Sequence, residues 1–273
     1  MSTELIVRYA ALSFTLPDTC VRIRSLLDDP CASSDDIAKV MSVDPSLSAK
    51  VLKLANSALF RFQSEVGTVK KALQVIGGEA AYNISIAETA NLAFKSFSSE
   101  QLNFEEFWQR AVLTGVVAKS IAQQRQVRGS DRYFVIGILH SLSELICATQ
   151  LPQQYSDYKD DSESCLPFSV QQEVFGFTFA ECSGDILQTW KLPETVYQPL
   201  ASFKLTAHSL SYFEQAVIFL TTAMVHLDAP ESIVDHEEIP SIIFDTIGLK
   251  PDEYVIIYEY ARSEAEKIAK ALN

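Results

Sequence analysis

The side chains able to hold a metal or move a proton are few in this chain. Histidine occurs at four positions, His140, His208, His226 and His236, and none is spaced like the H-E-x-x-H ligands of one helix face. Hydrolysis at a divalent ion needs several histidine and carboxylate ligands converging, with one position open for water. The five cysteines, Cys20, Cys31, Cys147, Cys165 and Cys182, form no C-x-x-C pair and have no adjacent histidine. They are expected as free, structural thiols of a reducing compartment. Neither G-x-x-x-x-G-K-[ST] nor G-x-G-x-x-G occurs, and there is no G-x-S-x-G elbow. His140 lies inside an apolar run, Ile136 to Leu145. A lone imidazole in that setting is expected as a hydrogen-bonded core residue.

The charge balance narrows the partners. The net charge is −13, with 48% hydrophobic and 21% charged residues, a globular composition. A polyanion is held by Lys and Arg that neutralise its phosphates. Here the densest basic groups are only Lys70-Lys71 and Arg125 to Arg132. Neither nucleic acid nor an anionic membrane is expected as a partner. The first residues lack the basic-then-apolar pattern of a leader. No uninterrupted apolar stretch is expected to span a bilayer, because His140, Ser141, Ser143 and Glu144 interrupt the helix predicted near Phe134 to Ala148. A cytoplasmic location is the expectation.

The elements that must carry these residues read as helices throughout, and no alternating strand pattern bounded by turn pairs occurs. Ser34 precedes a helix with Ile37, Val40 and Met41 on one face. Asp44-Pro45 opens the next, with Leu47, Val51, Leu54 and Ala58 buried. Thr68 caps Val69 to Ile76, and Gly77 is placed to end that helix in the left-handed conformation. Gly78-Glu79 opens a helix with Ala81, Ile84, Ile86 and Leu92 inward. Asn103 caps the helix of Phe107, Trp108, Val112, Val116 and Ile121. Pro152 stops the apolar helix, and Tyr155 to Pro167 reads as an acidic, serine-rich loop. Ser169 with Gln172, and Thr178 with Glu181, read as two capping boxes. Helices are predicted over Tyr212 to Leu227, Ile239 to Ile247 and Asp252 to Leu272.

Three segments then carry a resemblance. Val43-Asp44-Pro45-Ser46-Leu47, Leu54-Ala55-Asn56-Ser57-Ala58 and Ala72-Leu73-Gln74-Val75-Ile76-Gly77 resemble, in order and spacing, the N-terminal half of an HDOD domain. Gly137-Ile138-Leu139-His140 is similar to that family's relic of the His-Asp motif of HD-type metal-dependent phosphohydrolases. Phe175-Gly176 through Glu181, then Trp190-Lys191-Leu192-Pro193, resembles the later segment. The likeness runs from about Leu16 to Phe203. It implies an all-α fold: a helical N-terminal half (14–100) packed on a degenerate HD-like bundle (101–206), followed here by a helical extension (207–273). In this pattern Asp44, Pro45, Asn56, Ser57, Gly77, Trp190 and Pro193 are motif residues with structural roles.

Against the HD metal pattern, the departures are specific. Arg110 stands where a first histidine ligand would be. The His-Asp pair reads His140-Ser141, and the following Gly and Lys are Ser143 and Glu144. Phe179 takes the place of a third histidine, and a later histidine pair falls near Ser202-Phe203. One ligand position survives. The resemblance therefore implies a regulatory signalling module that meets other signalling proteins, with no catalytic residue, metal or cofactor of its own. Arg110, His140, Ser141, Glu144, Phe179 and Glu181 are expected around the relic pocket, with Glu181 or Glu144 as counter-ion to Arg110. Two alternatives stay open: a divergent phosphohydrolase that recruits Glu144, Glu181 or Asp185 as ligands, and a nucleotide sensor in which Arg110 grips a phosphate.

Overall fold

The computed structural model describes residues 3–60, 62, 64–97, 99–162, 165–228 and 230–272. Among them there is no strand. The first six helices are α1 (Glu4–Ser13), α2 (Asp18–Asp28), α3 (Ser34–Ser42), α4 (Pro45–Ala55), α5 (Val69–Ile76) and α6 (Gly78–Ser96). Next come α7 (Phe104–Gln124), α8 (Asp131–Leu139), α9 (Leu142–Gln150), α10 (Pro152–Asp161), α11 (Pro167–Phe175) and α12 (Phe179–Thr189). The last five are α13 (Glu194–Ala201), α14 (Ala207–Leu210), α15 (Phe213–Leu227), α16 (Ser241–Ile247) and α17 (Pro251–Leu272), with a 3-10 turn at Pro230–Asp235.

Local chemistry sets most of the boundaries. The Asp44 carboxylate accepts from the Ser46 and Leu47 N–H groups, with Pro45 at the first helical position, where no N–H is needed. Thr68 and Asn103 cap α5 and α7 as expected. Ser33, one residue before the expected Ser34, caps α3, because Asp36 reaches back to the Ser33 N–H and completes a capping box there.

Other expectations are corrected. Tyr155 to Pro167 is not one loop: Pro152 ends α9 but also starts α10, which runs to Asp161 with Tyr155 and Tyr158 buried. Ser169 is not a cap, since Pro167 starts α11 two residues earlier. Thr178 does accept from the Glu181 N–H, yet the Glu181 carboxylate turns away to Lys204 instead of closing a box. Gly77 has φ +82 but ψ 163, an extended positive-φ turn that ends α5 and begins α6 together. Ala58 lies past the end of α4, and Leu92 is half exposed. The run from Asp131 to Gln150 has the length and hydropathy of a membrane span, yet 89% of that window is buried, and the helix itself breaks at His140-Ser141.

The two halves share one core. Helix α17 packs on α4, α6 and α7, and its last turn is held by Asn91 and Trp108, which donate to the Leu272 and Ala269 carbonyls at 3.0 and 3.3 Å. The Tyr260 hydroxyl donates to the Ala58 carbonyl. Lys119 is fully buried on α7, 2.7 Å from the Asp131 carboxylate and 3.8 Å from the centre of the Phe60 ring. That arrangement supplies both a counter-charge and a π face to a cation out of water.

Candidate functional site

Helices α7 and α8 cross at two glycines, and this crossing sets the site. A Cβ on Gly137 would stand 2.5 Å from the Gly115 Cα, so neither position tolerates a side chain without shifting backbone. One and a half turns back along α7 lies Arg110; just beyond α8 lie His140 and Ser141. All three line one small cavity with Glu144 of α9, Phe179 of α12 and His226 of α15.

The charges inside it answer one another. Arg110 Nη2 lies 3.3 Å from Glu144 Oε1; the arginine side chain is 51% exposed and the glutamate 9%. The Tyr155 hydroxyl donates to the same oxygen at 2.9 Å. The adjacent Glu144 carboxylate holds the Arg110 guanidinium even more firmly protonated than usual. Glu144 is therefore the counter-ion, as one of the two expected candidates. Desolvation by burial, and then the Glu144 charge, push the Tyr155 phenol well above its ordinary value, so it stays a donor.

His140 Nδ1 lies 2.6 Å from the Gly137 carbonyl. A carbonyl only accepts, so Nδ1 carries the proton and Nε2 is the acceptor. Burial pulls this imidazole below the ordinary histidine range. The Ser143 hydroxyl donates to the Phe179 carbonyl at 2.9 Å, and its N–H donates to the Ser183 hydroxyl at 3.0 Å. Phe179 fills its position with apolar surface, its ring 5.1 Å from that of Tyr158 and 5.4 Å from that of Phe175.

Glu181 is not part of this cluster. It follows Phe179 by two residues, roughly 200° around the helix, and so faces away. It pairs with Lys204. Asp185, one turn further on, shares that outer face; burial and then the neighbouring Glu181 push its carboxyl above the ordinary range. The two carboxylates offered to a recruited metal thus lie on the wrong side of α12.

Tyr155, Tyr158, Gln171, Thr222 and His226 belong to the site region without having been singled out from the sequence. Gln171 accepts from the Phe179 N–H and donates to the Tyr158 hydroxyl. His226 Nε2 bonds the Cys165 carbonyl at 2.9 Å. The aromatic pair at i, i+3 just after Pro152 was the available signal for α10. Nothing local marked Thr222 or His226, which reach the site from the C-terminal extension.

The motif residues of the N-terminal half act through the backbone. Asn56 ends α4; its amide donates to the Leu52 and Val66 carbonyls and its oxygen accepts from the Val66 N–H, each at 2.8–2.9 Å. The Ser57 hydroxyl donates to the Leu54 carbonyl at 2.7 Å. Trp190 and Pro193 end α12 and introduce α13.

An HD-type divalent ion does not fit this donor set. His140 offers one neutral imidazole nitrogen, His226 spends its Nε2 on the Cys165 carbonyl, and the nearby carboxylate is already shared by a guanidinium and a phenol, with a fixed positive charge beside it. Among the described residues no three His, Cys, Asp or Glu side chains group as a metal site would need.

The described residues form an all-helical protein with an Arg110–Glu144 ion pair beside His140. The model of the HDOD domain matches residues 14–204, and the chain belongs to the HDOD domain family. Its structure is similar to that of a candidate phosphohydrolase of Shewanella amazonensis SB2B, with 18% identity, a TM-score of 0.73 and 98% of each chain covered. It is also similar to an HDOD domain protein of unknown function from Geobacter sulfurreducens, with 19% identity, a TM-score of 0.68, and 99% of this chain and 98% of that one covered. A candidate signal transduction protein of Marinobacter aquaeolei VT8 matches at 17% identity and a TM-score of 0.64, over 96% of this chain and 60% of its own. A curated relative, an uncharacterized protein of Treponema pallidum (strain Nichols), is 22% identical over 242 residues, 87% of this chain and 46% of that protein. The chain thus spans about half the length of the curated relative it matches. Structural likeness at these identities speaks to the fold alone.

Proposed function

We propose that this chain is a non-catalytic signalling module that works through contacts with other proteins. The observation that carries the reading is the Arg110–Glu144 pair. A guanidinium held 3.3 Å from the one carboxylate beside His140 leaves that carboxylate engaged and a positive charge where a metal would need its absence. The likeness to a candidate signal transduction protein agrees with the reading.

The nucleotide-sensor alternative meets a size limit. Ligand pockets for drug-sized molecules run to about 300–1,000 Å³. The cavity beside Arg110 measures about 60 Å³, room for a few waters.

The test is hydrolysis of a panel of phosphomonoesters and phosphodiesters with Mn²⁺, Mg²⁺ or Zn²⁺, comparing the native chain with His140→Ala. Equal, background rates are expected. Metal-dependent turnover lost in His140→Ala would return the chain to the hydrolases.

A further inference from the structure

A cavity of about 670 Å³ lies away from the HD-like centre, between α13, α14 and the start of α15. It continues into a second cleft of about 470 Å³, with which it shares Arg132, Glu194 and Thr195. Together they form an open groove toward Tyr82 and the N-terminal half.

Several acceptors in and around this groove lack a usual partner. Gln215 is 7% exposed. The Ser202 hydroxyl spends its proton on the Gln198 carbonyl at 2.7 Å, so it can only accept from Gln215, whose Nε2 lies 2.8 Å away. That fixes the amide orientation and leaves Gln215 Oε1 buried without a partner. Pro199 sits inside α13 and has no N–H, so the Thr195 carbonyl cannot receive its usual helical hydrogen bond. The lysine and arginines of the groove are already paired, Arg24 with Asp28 and Glu79, Arg132 with Glu214 at 3.1 Å and Lys204 with Glu181. Glu194 is exposed and has no ion-pair partner among the described residues. Beside them Tyr212 is a 53% exposed aromatic, edge-on to His208 at 5.4 Å.

We infer that this groove binds an extended segment of a partner protein and seats one of its arginine side chains against Glu194, Thr195 and Tyr212. The inference rests on the protein-contact reading above and names the chemistry of the partner. A guanidinium presents five donors in a plane that also stacks on an aromatic face, which suits a carboxylate, a carbonyl without its usual helical donor and a tyrosine ring together. The net charge of −13 draws a basic segment in. The continuity of the two clefts favours an extended chain over a small free cation.

Panning a phage library of random nonapeptides against the full chain, at about 0.15 M salt, tests this. The expected result is enrichment of arginine-containing peptides that bind the native chain at least about tenfold more tightly than Glu194→Gln or Tyr212→Ala. Both variants alter exposed side chains, and their melting temperatures are measured alongside to establish that they are folded. Absence of enrichment, or enriched peptides without a basic residue, overturns the inference. So do peptides that bind both variants as tightly as the native chain; that outcome places a protein contact elsewhere, so the groove assignment fails while the signalling reading stands.

Discussion

Arg110 Nη2 stands 3.3 Å from Glu144 Oε1, and the Tyr155 hydroxyl meets the same oxygen from α10 at 2.9 Å. The pair joins a half-exposed cation to a buried anion. Removing the cation leaves the anion out of water with a single donor. Arg110→Ala should therefore cost about 1–2 kcal/mol, between the values for exposed and buried pairs. Urea unfolding of the native chain, Arg110→Ala and Arg110→Ala/Glu144→Gln measures it. The double variant should recover part of the loss, because it no longer strands a charge; equal stability of all three would show the pair to be inert.

His140 ties the same site to pH. Its folded-state pKa is depressed by burial. On acidification the unfolded chain takes up a proton near the ordinary value, about 6.5, before the folded chain does. This component of stability is intact above that pH and declines as pH falls below it, until the folded-state value is passed, with a slope of at most about 1.4 kcal/mol per pH unit. Denaturant midpoints at intervals from about pH 7.5 to 5 should show the decline in the native chain and a flatter profile in His140→Gln. Parallel profiles would remove His140 from the account.

The glycine crossing makes a sharper demand. A methyl group at position 137 meets the Gly115 N and Cα at 2.7 and 2.5 Å, which are backbone atoms and cannot rotate away. Gly137→Ala should cost about 2–3 kcal/mol through forced separation of α7 and α8. A thermal melt checks it: an unchanged midpoint would mean that the two helices do not cross this closely.

Asn56 replaces missing backbone pairing between α4 and the segment that leads to α5. Asn56→Ala strands both the N–H and the carbonyl of Val66, a residue only 2% exposed. The expected cost is about 1–3 kcal/mol, and Asn56→Asp should also be destabilising because its carboxylate faces two carbonyl oxygens. Amide hydrogen exchange at Val66 gives the local readout: faster exchange in Asn56→Ala is expected, and unchanged exchange in that variant contradicts the assignment.

The helical class and most helix starts were legible because caps and apolar periodicity are local. Thr68, Asn103 and Asp44-Pro45 each act within one turn of the residue that marks them. The His140 stretch, Arg110 and Glu144 were legible through family likeness. What failed was directional or long-range. The likeness to the HD scaffold implied Glu181 at the pocket, whereas two residues from Phe179 places it on the other face of α12. The polar sequence of α10 hid a helix whose buried side is only Tyr155 and Tyr158. Thr222 and His226 arrive from a segment beyond the matched family region, and no spacing rule connects them to His140.

Arg110 and Glu144 form an ion pair at the HD-like centre, beside His140, where a catalytic metal would have to bind. The most direct measurement is the melting temperature of the native chain titrated with Mn²⁺, beside His140→Ala. A ligand that binds only the folded state raises stability by about 2.7 kcal/mol at a hundredfold excess over its dissociation constant, so a real site would be visible. Superimposable melts with and without the ion are expected for both proteins. A saturable rise in the native chain that His140→Ala abolishes would contradict this.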